Sequence, residues 1–146
     1  MHTFDLLEWG LRLVGVGQIF IAIIYCWMRN IVGWDADVAQ LRPLNRDVTQ
    51  TYSRYIQAFN VIFGLICLLQ PRDLLNQTPL AADFTLLMAV YWLGRLLLGL
   101  FYYDTREITS QRPLYRFAEY AFNLLFALQA AVLLAAFARD VGWLEN

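Results

Sequence analysis

Apolar residues run along this chain in four long stretches, Leu7–Met28, Val48–Leu69, Ala81–Tyr103 and Leu114–Ala138, with polar side chains set singly inside them. Each stretch is about 20 residues or more, the length an α-helix needs to cross a ~30 Å hydrocarbon core. None carries the continuous polar face of a helix in a soluble bundle. The pattern predicts an all-α polytopic integral membrane protein, a single four-helix transmembrane bundle over residues 1–146. Gln70-Pro71 ends the second span and Thr78-Pro79 starts the third, so a tight loop ties these two as an antiparallel pair. The loop Asp104–Pro113 is also short, which makes the third and fourth spans neighbours. In the longer loop Arg29–Asp47, Asp35 can N-cap a short helix that Pro43 stops. Trp34, Val38 and Leu41 then fall at near-helical spacing, as in a helix lying among lipid headgroups.

Composition adds to this picture at a few points. Hydrophobic residues make up 60% of the chain and mean hydropathy is +0.47, which agrees with a membrane protein. All 11 basic residues are Arg, so every cationic site is a planar, permanently charged fork suited to carboxylate or phosphate. Arg29, Arg42, Arg46, Arg106 and Arg112 gather in the first and third loops, with Arg54 and Arg116 just inside the adjoining spans. Arg72 and Arg139 lie on the other side, with Arg12 inside the first span. The positive-inside rule makes the first and third loops cytoplasmic and places both termini outside the cytoplasm, in a multi-pass protein of the cell membrane. Met1–Glu8 carries Asp5 and Glu8 where a cleavable signal would be basic, so the first span is expected to be retained. Cys26 and Cys67 near the ends of antiparallel neighbours would lie about 25 Å apart at ~1.5 Å per residue. That separation is far beyond the ~7 Å a disulfide allows, so both read as small apolar fillers.

Two repeating patterns cross the spans. Tyr52 followed by Ala58-Phe59-Asn60 is echoed at the same spacing by Tyr115 followed by Ala121-Phe122-Asn123, and Trp-x-x-Arg-Leu occurs at Trp9–Leu13 and Trp92–Leu96. Together they suggest a tandem duplication of a helix pair, although Arg12 starts its span and Arg95 is past the middle of its own. Ala127, Ala131 and Ala135 form a small-xxx-small seam suited to close helix approach, within the bundle or against another copy. Aromatic residues near span ends, including Trp9, Trp27, Tyr52 and Tyr102, read as an interfacial belt. In size, span count and the local sequence Arg12-Leu13-x-Gly15 followed by Phe20, the chain loosely resembles the small DoxX-like membrane proteins. That likeness carries no residue role or activity across.

Polar residues within spans are costly and face a partner, a cavity or water. Arg54, Gln57 and Asn60 on the second span, Arg95 on the third, and Glu119 and Asn123 on the fourth converge on the cytoplasmic half if their faces point inward. Arg95 and Glu119 are the expected ion pair, at depths differing by roughly 6 Å at ~1.5 Å per residue. Asn123 can add a hydrogen bond, and Arg54 pointing inward would leave one surplus positive charge for an anion. Glu8 and Arg12 form a helix-end pair at i, i+4, and Gln18 and Gln129 are midplane amides expected to join helices.

The only histidine is His2, so haem, di-iron, zinc and Ser-His-Asp chemistry have no ligands within the spans. No Gly-rich phosphate loop is present. No catalytic residue, metal or cofactor is therefore expected, and no nucleic-acid partner. The expected partners are the lipid bilayer with an anionic lipid or other membrane subunits. The expected role is a non-enzymatic accessory subunit or a binder of an anionic lipid-like molecule. The alternative is a small membrane enzyme or carrier acting on a lipid or isoprenoid headgroup in the same polar pocket.

Overall fold

A computed structural model describes residues 3–106 and 113–144. It is an all-α bundle whose four long helices are apolar enough to span a membrane: α1 (Thr3–Ile31), α3 (Pro43–Leu69), α4 (Pro79–Phe101) and α5 (Pro113–Asp140). A short helix α2 (Trp34–Ala39) and a single 3₁₀ turn (Asp73–Leu75) lie in the connections. The helices outrun the apolar stretches because the caps lie beyond the hydrophobic residues. Pro43 does not stop α2. It occupies the first turn of α3, where its missing N–H costs no hydrogen bond, so α3 begins five residues before Val48. Thr78 caps α4 by accepting from the Ala81 N–H at 3.2 Å, with Pro79 in the first turn. Asp35 does not cap α2. Gly33 holds that position at φ 68°, a left-handed conformation that suits glycine, and Asp35 pairs with Arg29 instead.

The helices pack as two pairs, α1 with α3 and α4 with α5, and α1 joins the pairs by also meeting α5. The expectation that α3 and α4 form a close pair is not met. They approach through side chains, with Tyr91 OH donating to Asn60 Oδ1 at 3.3 Å and the rings of Phe63 and Phe84 at 5.5 Å. A short loop fixes where α4 starts, not which helix buries its apolar stripe. The α4 core face carries Met88, Ala89 and Trp92, which are packed with Phe126, Ala130 and Leu133 of α5 in the central cluster.

Within the bundle, glycine makes a close backbone approach. A Cβ on Gly15 would lie 2.5 Å from the Gly64 carbonyl oxygen, and one on Gly64 would lie 2.9 Å from the Gly15 carbonyl oxygen. The α1 and α3 backbones therefore touch at this crossing. Ala131 is exposed and Ala127 and Ala135 are half-buried, whereas Ala130 and Ala136 face the core.

The two ends of the bundle differ. On the face where α1 starts, here the terminal face, buried Glu8 accepts from Arg12 and from Arg72, each at 3.0 Å. Arg139 donates to the Leu75 carbonyl at 3.4 Å and lies over the Phe4 ring at 4.5 Å. The Gln77 N–H donates to Asp140 Oδ1 at 3.2 Å. These contacts fasten the α3–α4 connection onto both α1 and α5. The opposite face, here the loop face, is open between α1, α4 and α5.

Candidate functional site: the loop-face cleft

A cleft of about 340 Å³ occupies that opening, within the size range of small-molecule sites. Its walls are apolar: Ile21, Ile24 and Met28 from α1, Phe122 and Phe126 from α5, with Val32 and Trp34 across the mouth. Polar groups enter at few points: Arg95 and Gly99 on α4, Glu119 and Asn123 on α5, Arg29 at the end of α1, and Tyr25, Tyr103, Thr105 and Tyr115.

The six polar residues expected to converge are divided by the fold. Arg95, Glu119 and Asn123 line the cleft. Asn60 is buried on α3 and bonded to Tyr91, and Gln57 is half-buried one turn away with its Oε1 unpartnered. Arg54 is exposed on α3 and does not line the cleft. The second cleft cation is Arg29, which pairs with Asp35, so among the described residues the two arginines are balanced by Asp35 and Glu119 and the surplus charge expected from Arg54 does not arise.

Arg95 and Glu119 do not form the expected ion pair. Thr105 Oγ1 donates to Glu119 Oε1 at 2.6 Å, while the Arg95 guanidinium lies over the Phe126 ring at 5.8 Å. The cause is the direction in which helical side chains leave the backbone. Each Cα–Cβ bond tilts toward its own helix N-terminus, and long side chains follow. On α4 that direction is toward the membrane midplane, and on antiparallel α5 it is toward the loop face. Two residues at matching depth on antiparallel neighbours therefore lean apart. Phe126 lies about 10 Å deeper than Glu119 along α5, at ~1.5 Å per residue. Among the described residues, no carboxylate lies within ion-pair distance of Arg95.

The floor is an aromatic stack. Phe126 lies against fully buried Trp92 with ring centroids at 5.3 Å, and Phe122 packs at 6.1 Å from Phe126. Gly99 makes room for Asn123: a Cβ there would lie 2.8 Å from Asn123 Oδ1. At the mouth, Arg29 pairs with Asp35, which draws α2 over the opening, and Arg29 Nε and Trp34 Nε1 are buried without partners. Tyr25 is held by a 2.9 Å hydrogen bond to Ser53 of α3.

Sequence reasoning overlooked Arg29 and the three tyrosines as site residues. Arg29 counts toward membrane orientation because it ends a span, and Tyr25, Tyr103 and Tyr115 fit an interfacial belt. The signal available was proximity: a basic span end followed after a few residues by an amphipathic helix beginning with Trp34.

The arrangement can hold an anion in apolar surroundings. It presents guanidinium and indole donors, one carboxylate already engaged, and aromatic and aliphatic walls. No protein-family model matches this chain, and no curated protein or solved structure matches it either.

Proposed function

We propose that this four-helix membrane protein is non-enzymatic and binds an anionic, lipid-like molecule in the loop-face cleft. One observation carries the reading: Arg95 is half-buried within a membrane-spanning helix, and its charge rests on an aromatic ring while the nearby carboxylate is turned toward Thr105. A cation left in an apolar site needs water, a phosphate or an anionic ligand. The cleft beside it has the volume to supply a ligand, and a guanidinium fork binds carboxylate or phosphate well.

The test is native mass spectrometry of detergent-purified wild type and Arg95→Gln. Wild type is expected to retain an anionic adduct that the variant loses, with equal helicity by circular dichroism. Identical adducts on both proteins would refute the reading. The Arg asymmetry supports placing the loop face in the cytoplasm. Cysteines introduced at Asp37 and Asn76 in a Cys26→Ser, Cys67→Ala background are expected to label from outside only at position 76. Labelling only at 37 would reverse the orientation.

A further inference from the structure

We infer that the ligand enters the cleft acid-first: an amphipathic organic acid about 10 Å long, its acid group on Arg95 at the floor and its apolar body filling the cleft to the mouth. The inference rests on the proposed function and concerns which anion fits.

A bilayer lipid presents its charge at the interface, and an Arg that serves such a headgroup extends toward that interface. Arg95 does the reverse. Its guanidinium points inward and lies 5.8 Å from the ring of Phe126, which itself stacks on the fully buried Trp92. At the mouth Arg29 is paired with Asp35, with its Nε still unpartnered, and Glu119 accepts a hydrogen bond from Thr105. An acid group halted at the mouth would compete with Asp35 for Arg29 and face the Glu119 carboxylate, whereas one at the floor would meet the Arg95 guanidinium, which has no carboxylate partner among the described residues. The walls between floor and mouth, among them Ile21, Ile24 and Phe122, offer an apolar body almost no hydrogen bonds. The distance from Phe126 to Glu119, about seven residues of α5 at ~1.5 Å each, sets the body's length near 10 Å. A longer chain anchored at the floor would project its end through the polar mouth. A diacyl lipid would have to bring its glycerol and two chains past Trp34 and into a volume of about 340 Å³.

The experiment measures equilibrium binding of radiolabelled octanoate to the full chain in nanodiscs, with empty-disc partitioning subtracted. Competitors are butanoate, decanoate, hexadecanoate, octyl phosphate and phosphatidylglycerol vesicles. Saturable binding is expected, tightening about fourfold per methylene up to about eight to ten carbons and falling away by hexadecanoate. Competition by octyl phosphate better or worse than by octanoate identifies the acid as phosphate or carboxylate, and either supports an acid-first ligand. Arg95→Gln should weaken octanoate binding at least tenfold. Arg54→Gln, an arginine change outside the cleft, should retain octanoate binding, which separates loss of the site from loss of a charge elsewhere on the chain. If hexadecanoate or phosphatidylglycerol competes best and does so through Arg95, the acid-first geometry is wrong and anion binding stands. If none of these anions binds in an Arg95-dependent way, both the inference and the proposed function fall.

Discussion

Replacing Arg95 by Met and Glu119 by Gln, singly and together, separates a divided site from a paired one. A buried Arg–carboxylate pair that loses one partner costs about 3–5 kcal/mol, because the remaining charge is stranded. The geometry here gives smaller terms. Arg95→Met removes a cation–π contact at 5.8 Å, worth about 0.5–2 kcal/mol, and the methionine thioether keeps favourable contact with the ring. Glu119→Gln exchanges a charge-assisted bond from Thr105, 2.6 Å long, for a neutral one, a loss of about 1 kcal/mol. The two groups have different partners, so the double variant should equal the sum of the singles within about 0.5 kcal/mol. Reversible unfolding in a fixed detergent, monitored by circular dichroism, provides the cycle. A coupling energy of about 2 kcal/mol or more would refute the argument, since it would mean that the two charges interact directly in the folded protein.

Gly15→Ala should destabilise the bundle by about 1–3 kcal/mol, because its Cβ would meet the Gly64 carbonyl oxygen at 2.5 Å, whereas Gly94→Ala, with nothing within 4 Å of a new Cβ, should leave stability unchanged or raise it by up to about 1 kcal/mol. Thermal unfolding of both variants checks this, and equal losses would show that α1 and α3 do not touch at Gly15. Gln18 is fully buried and neither amide atom has a partner, so Gln18→Met should stabilise the protein by about 1–3 kcal/mol. A lower melting temperature would show that the amide is satisfied in the native membrane protein.

The hydrophobic pattern made the four helices legible because span length is set by bilayer thickness and each stretch meets it. The Thr78-Pro79 start was equally plain, since cap and proline act locally. Depth could also be read: Arg95, Glu119 and Asn123 were expected near one another and share a cleft. Rotation about the helix axis could not. Arg54 and Asn60 lie on one helix fewer than two turns apart, yet Asn60 faces the core and Arg54 faces outward. The 3.6-residue turn assigns relative faces, but in these helices apolar residues surround the axis, and no polar stripe marks the inner one. The glycine crossing was hidden for a related reason. Three alanines at four-residue spacing permit contact, but a glycine on each helix permits backbone contact, and Gly15 and Gly64 lie too far apart in sequence to form a motif.

Asn60 and Asn123, the asparagines of the sequence echo, each lie on the second helix of a packed pair, α3 against α1 and α5 against α4. Their environments differ: Asn60 is buried and bonded to Tyr91, while Asn123 lines the cleft opposite Gly99. The arginines diverge further. Arg12 joins the terminal-face network with Glu8 and the Leu68 carbonyl, whereas Arg95 turns inward onto Phe126. A helix places the same residue type differently according to its depth and to the direction of its N-terminus. Near the terminal face Arg12 finds Glu8 one turn back on its own helix. Past the midplane the same lean carries Arg95 away from the interface and from Glu119. Thus the terminal face closes on its own charges, while the loop face keeps one cation at the bottom of an apolar cleft, and the difference follows from one residue's position along its helix.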